Sequence, residues 1–148
     1  QALDKADILH RDVSVASILI TYEGRGVLVD WDMHKRVDDS VSQPERIGTF
    51  RFLSARSVDS VVREFGPHSH IDDVESFFHA LQWIVLRFVH HGMSRLTLGA
   101  TLDDFDTAFL GELGGLICPR RLECLEQFIW ATYKDFNGVL PDLLENLR

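Results

Sequence analysis

The spacing of apolar and polar positions changes several times along the chain, and each change marks an element. Ile18-Leu19-Ile20-Thr21-Tyr22 is β-branched and apolar, Glu23-Gly24-Arg25-Gly26 is a turn sequence, and Val27-Leu28-Val29 returns. That order predicts a β-hairpin. Residues 33–44 are polar with weak periodicity and read as a loop. The period then lengthens, with Val58, Val61, Val62 and Phe65 on one face of a short helix that Gly66-Pro67 ends. The strongest pattern follows. Val74, Phe77, Phe78, Leu81, Ile84, Val85 and Phe88 recur at three- and four-residue steps, a stripe wide enough for a central helix with others packed around it. Asp72 or Asp73 is the expected N-cap, and His90-His91 suit the dipole at the opposite end. Further on, residues 102–110 read as a helix and Gly111, Gly114 and Gly115 as a break. Residues 121–136 form a longer predicted helix stopped by Asn137-Gly138, and 141–147 a short closing one. Residues 1–6 read as the last turns of a helix. The predicted fold class is mainly α (α+β), one helical domain with a small β-hairpin near its start.

Composition narrows the function classes. A chain of 148 residues suits one domain, able to bury about 68–70% of its unfolded surface. With 45% hydrophobic residues, ten Phe and three Trp, core material is ample. A formal net charge of -8 argues against non-specific nucleic-acid binding and against anchoring on anionic lipid. Cys118 and Cys124 fall close together in a predicted helical run, with no disulfide framework. No secretory signal, lipidation motif or bilayer-length apolar run is present, so cytoplasm or nucleus is the expected compartment.

The candidate chemistry sits at the hairpin. Asp12 precedes it and Asp30 follows it, and a hairpin brings its ends together, so both carboxylates are expected to face one site beside His10 and Arg11. Such a pair suits a divalent metal, the positioning of a nucleophile, or both; acids that merely flank a hairpin in solvent would share the pattern. His68-Ser69-His70 with Asp72 and Asp73 raises a zinc site, but no matching His or Cys pair accompanies it. His79 reads as a hydrogen-bonded core histidine. Ser40 and Ser42 are loop serines open to phosphorylation.

Four motifs in order carry a resemblance. His10-Arg11-Asp12 looks like the catalytic-loop signature of protein kinases, and Asp30-Trp31-Asp32 falls where they carry Asp-Phe-Gly. Residues 48–56, Gly-Thr-Phe-Arg-Phe-Leu-Ser-Ala-Arg, are similar to the end of an activation segment. Asp72-Asp73-Val74-Glu75-Ser76-Phe77-Phe78 resembles the start of the central helix of the C-terminal lobe. The closest resemblance is to the fungal-type protein kinase family. It implies a C-lobe-like domain with catalytic loop 8–17, hairpin 18–30, activation segment 30–56, central helix 72–90 and C-terminal helices 102–147. It further implies Asp12 as the base for a substrate hydroxyl, with Thr49 beside it, and Asp30 as a ligand of Mg²⁺ on the ATP phosphates, with Asp32 a weaker one. His10 would pack the loop, Arg11 could hold a phosphorylated activation loop, and Asp73 would bond the backbone of the His10–Asp12 turn.

Departures from the pattern matter equally. No Gly-x-Gly-x-x-Gly occurs, and Lys5, Lys35 and Lys134 lie in no Val-Ala-Ile-Lys context, so the N-lobe that grips ATP is expected to be absent. Ser17 stands where the second metal-ligating Asn belongs, Asp32 replaces a hinge Gly, and Arg56 occupies a position usually held by Glu. Asp103, Asp104, Asp106 or Glu123 is the expected partner for Arg56, and Asp72 is expected to be solvated. The expected function is a kinase-like C-lobe, inactive alone, acting through binding or within a larger chain. No cofactor would be firmly bound without the rest of the kinase, and a protein partner or second copy would cover the face left by the N-lobe. A fragment of an active Ser/Thr kinase is the alternative. A small-molecule phosphotransferase of the aminoglycoside or choline kinase type also carries an Asp-Trp-acid motif, but Arg11 and residues 48–56 speak against it.

Overall fold

A computed structural model of the chain describes residues 7–37, 48–58, 67–110 and 116–117. Two nested antiparallel pairs organise the first stretch. In chain order they are β1 (Ile8–Leu9), β2 (Ile18–Ile20), β3 (Gly26–Leu28), a 3-10 turn at Trp31–Met33, and β4 (Lys35–Arg36). The inner pair sets Ile18 opposite Leu28 and Ile20 opposite Gly26, and the Val29 N–H extends it to the Ser17 carbonyl at 2.8 Å. The outer pair sets Ile8 opposite Arg36, continued by the Val37 N–H donating to Asp7 O at 2.8 Å. Gly24 makes the tight turn, its φ of 76° lying where other residues meet a steric penalty. Residues 10–17 and 29–34 are therefore held side by side within one closed loop of chain.

The helices follow a second 3-10 turn at Phe50–Phe52: α1 (Ala55–Val58), α2 (His70–Phe88) and α3 (Arg95–Asp103). Then β5 (Phe109–Leu110) pairs antiparallel with β6 (Leu116–Ile117). Among the described residues two small apolar clusters stand out in the core. Leu53 and Val58 pack with Phe50 and Ala108, and Val85 and Leu86 pack with Leu81, Met93, Leu98, Leu102 and Phe105. The second cluster fixes α3 against the C-terminal half of α2. Among the described residues no helix is long and apolar enough to cross a membrane.

Several expectations are corrected. The helix expected over 102–110 begins at Arg95, where Ser94 Oγ accepts the Thr97 N–H at 3.1 Å, and ends at Asp103. Phe109 and Leu110 are extended instead. The N-cap of α2 is Ser69; Asp72, three residues in, accepts the Ser69 N–H at 2.7 Å, which is one half of a capping box. The apolar stripe of α2 is only partly its buried side: Val85 is buried and Leu81 packs with it, but the ends of the stripe are not. Val74 is 61% and Phe88 73% exposed, whereas Asp72, Asp73, Ser76, His79 and Ala80 are buried. At about 100° per residue these two sets lie on roughly opposite sides of the helix. At the start of α2 the inward side is polar, and Asp73 there accepts buried backbone donors of a neighbouring segment, as the site shows. Expectations for residues 1–6, Ser40, Ser42, 59–65, Cys118, Cys124 and the helices over 121–147 lie outside the described residues.

Candidate functional site

The 10–17 loop is held from inside. His10 is fully buried; its Nε2 lies 3.0 Å from the Val29 carbonyl, which can only accept, and its Nδ1 accepts the Asp12 N–H at 3.3 Å. Those partners assign the ring proton to Nε2. The ring also meets Trp31 edge-on at 4.6 Å, and Trp31 Nε1 donates to Leu28 O at 2.9 Å. His10 thus joins the loop to the start of the 29–34 segment. Arg11 adopts a φ of 72°, a conformation uncommon for a residue with a side chain. Burial pulls its guanidinium below the usual range, and the Asp73 carboxylate pushes back.

Asp73 is what holds this strained turn. It is buried at the start of α2, with Oδ2 accepting the His10 N–H at 2.7 Å and Oδ1 the Arg11 N–H at 2.9 Å. His68 Nε2 donates to Oδ1 at 2.9 Å. Burial alone would push the carboxyl up, but the hydrogen bonds from His68, His10 and Arg11 outweigh it and hold the carboxyl below its ordinary value.

Asp72 is a correction. Far from being solvated, it is 1% exposed and pairs with Arg56, for which Asp103, Asp104, Asp106 or Glu123 was the expected partner; Glu123 lies outside the described residues. Arg56 grips it with two donors, Nε at 2.9 Å and the short terminal contact to Oδ2, and also reaches Pro67 O and Ser69 Oγ at 3.0 Å. Ser54 Oγ donates to Asp72 Oδ1 at 2.7 Å. Here too burial pushes up, and Arg56, Ser54 and the Ser69 N–H hold the carboxyl well below the carboxylate range. Asp106 pairs with Arg51 instead. Glu75, one turn along, accepts the Ala55 N–H at 2.7 Å. The first turn of α2 therefore fastens two separate segments, the 10–12 turn through Asp73 and the 54–56 segment through Asp72.

Between those segments Asp12 meets Thr49. Asp12 Oδ1 accepts the Thr49 N–H at 2.7 Å and its hydroxyl at 2.8 Å, while Oδ2 has no hydrogen-bond partner among the described residues. Gly48 permits the approach, and sequence reasoning missed it. Its φ is 122°, and a Cβ there would stand 2.7 Å from Arg11 O and 2.8 Å from Leu53 Cδ2.

The remaining candidates divide. Asp30 is exposed, with a left-handed φ of 66°, directly after the hairpin closes, and Asp32 is exposed in the 3-10 turn that follows. Ser17 is buried in a turn, accepting the Ser14 N–H at 2.8 Å and pointing its proton toward Asp12 O and Ser14 O. It supports the Asp12 backbone and does not open toward solvent. Among the described residues no three His, Cys, Asp or Glu side chains converge to hold a metal. His68 is engaged with Asp73, buried His79 lies 3.2 Å from Glu75, and His91 Nε2 lies 3.0 Å from Leu86 O near the end of α2.

A domain of this kind, a loop aspartate braced by a helix acid and a following threonine, is the class to which the comparisons also point. Residues 1–85, more than half of the chain, match the model of the fungal protein kinase family. The chain belongs to that family. No curated protein matches it.

Proposed function

We propose that these residues form the C-terminal-lobe-like half of a protein kinase fold, the half that holds the acceptor hydroxyl, and that unaided they transfer no phosphate. The observation that carries this reading is Asp12. One of its carboxylate oxygens is fixed by Thr49 and the other is without a hydrogen-bond partner among the described residues, on a loop tied to α2 by Asp73. A carboxylate so held can accept the proton of a Ser or Thr hydroxyl as that oxygen attacks phosphorus. Asp30, with Asp32 beside it, fits a Mg²⁺ shared with ATP phosphates and water, since that cation commonly takes only one or two carboxylates from protein. When bound, the cation would neutralise phosphate charge.

The 148 residues contain no Gly-rich phosphate cover and no strand lysine in the kinase context. Phosphotransfer therefore requires those parts from a larger chain or a protein partner. The inner hairpin, where Leu19, Ile20, Tyr22 and Val27 are exposed, is where such a part would rest. Without it the domain acts through binding. Incubated with radiolabelled ATP and Mg²⁺, the purified 148-residue chain should label neither itself nor a generic protein substrate. Label that is incorporated by the wild type and lost in Asp30→Asn would overturn the proposed inactivity.

A further inference from the structure

Trp83 is in contact with two guanidinium groups. Arg51 Cζ lies 5.4 Å from the centroid of its ring and Arg87 Cζ 4.7 Å. Phe52 and Phe88 meet the same indole edge-on, each at 6.2 Å. Arg51 is further fixed by Asp106, its Nε donating at 2.8 Å. Arg87 is exposed, and among the described residues it contacts the ring without a carboxylate partner. In a chain of net charge -8, a guanidinium stacked on an aromatic and left without an acid is a point of local positive charge. Contact with a ring face orients the group and leaves its in-plane N–H donors free for a carboxylate.

The place of this patch gives it meaning. Arg51 follows Thr49 by two residues, and Thr49 is bonded to Asp12. Along α2, Asp73, Ser76, Ala80, Trp83 and Arg87 recur at three- and four-residue steps and so share one face. The patch therefore continues the same side of α2 that braces the Asp12 loop. We infer that Arg51, Trp83 and Arg87 form a specificity subsite that reads a carboxylate side chain, Asp or Glu, near the acceptor hydroxyl of a polypeptide substrate. This rests on the proposed role of Asp12. Arg87 supplies the charge, Trp83 the platform, and the Arg51–Asp106 pair helps to fix the platform.

The test needs no catalysis. Serine peptides with a single Glu at successive positions after the serine, and their Gln counterparts, are titrated into the 148-residue chain while amide resonances are followed. At the best position the Glu peptide should bind about two- to fivefold more tightly than the Gln peptide, the scale of one exposed ion pair. The Thr49 amide should shift on binding, and Arg87→Gln should erase the preference while the chain stays folded, its stability changed no more than the loss of one exposed cation–π contact allows. A phosphoserine in place of Glu should gain no more than its extra charge provides; a far stronger preference for it would replace the carboxylate by a phosphate as the ligand. Equal binding of Glu and Gln peptides with a Thr49 shift overturns the subsite and leaves the Asp12 reading standing. A preference lost in Arg87→Gln without a Thr49 shift detaches the patch from the acceptor site and overturns the inference, as does no binding of any peptide.

Discussion

Asp72 and Asp73 are adjacent residues with separate jobs. About 100° apart on the helix, one faces Arg56 and the other the His10–Arg11 backbone. The motif resemblance made His10, Asp12, Thr49 and Asp73 legible in sequence. It did not reveal Asp72, because adjacent acids at a helix start are ordinarily capping or solvated residues, and no local pattern shows that both turn inward. The reversed charge of Arg56 was the available signal: it demanded an acid, and the acid lay at the start of α2. Removing that acid takes away the carboxylate that two donors of a partly buried guanidinium grip. A fully buried pair costs about 3–5 kcal/mol when broken from one side; Arg56 is partly exposed, so Asp72→Ala should cost about 2–3 kcal/mol by chemical denaturation. Adding Arg56→Ala should restore part of that loss, whereas strictly additive losses would contradict the pairing. Acid should act on the same groups. Both carboxyls are held below their ordinary values in the fold, so their contribution is complete above the unfolded carboxylate pKa of about 3.9 and is lost as pH falls below it, through the lowered folded values. Stability measured from pH 5 downward should decline accordingly; a curve flat to pH 2 would show that neither carboxylate is held as described.

At the scale of elements, the hairpin was readable because its turn chemistry and its β-branched flanks agree. The α2 helix was readable as a helix, and Leu81 and Val85 of its stripe do pack inward, but the burial of Asp72 and Ser76 was not readable. Periodicity shows which residues share a face, and it gives no sign of which face turns inward when the inward one must accept hydrogen bonds. Residues 48–54 present a similar case. Their sequence matched a family segment, yet the requirement at Gly48 is spatial: the chain passes so close to Arg11 O that a side chain has no room. Gly48→Ala combines an unfavourable φ with overlap against backbone that cannot yield, and should cost about 2–4 kcal/mol. Loss of the Thr49–Asp12 contact should accompany it, seen as a changed Thr49 amide resonance. A stability change within about 0.5 kcal/mol, the range of ordinary surface substitutions, would contradict the close approach.

For the whole molecule, the described parts form one chain of support. The nested strands bring residue 10 beside residues 29 and 31, the first turn of α2 ties both the loop and the 54–56 segment, and α3 packs the far end of the same helix. The central claim is that a single buried carboxylate at the start of α2 holds the strained His10–Asp12 turn. Native-state hydrogen exchange on the His10 and Arg11 amides tests it most directly, in the wild type and in Asp73→Ala, which removes both acceptor oxygens. Each lost hydrogen bond to a buried donor is worth about 1–3 kcal/mol. Exchange at both amides should therefore accelerate about five- to a hundredfold, with the Leu86 amide in the apolar half of α2 changing far less. Unchanged protection at His10 and Arg11, or acceleration no greater than at Leu86, would contradict it.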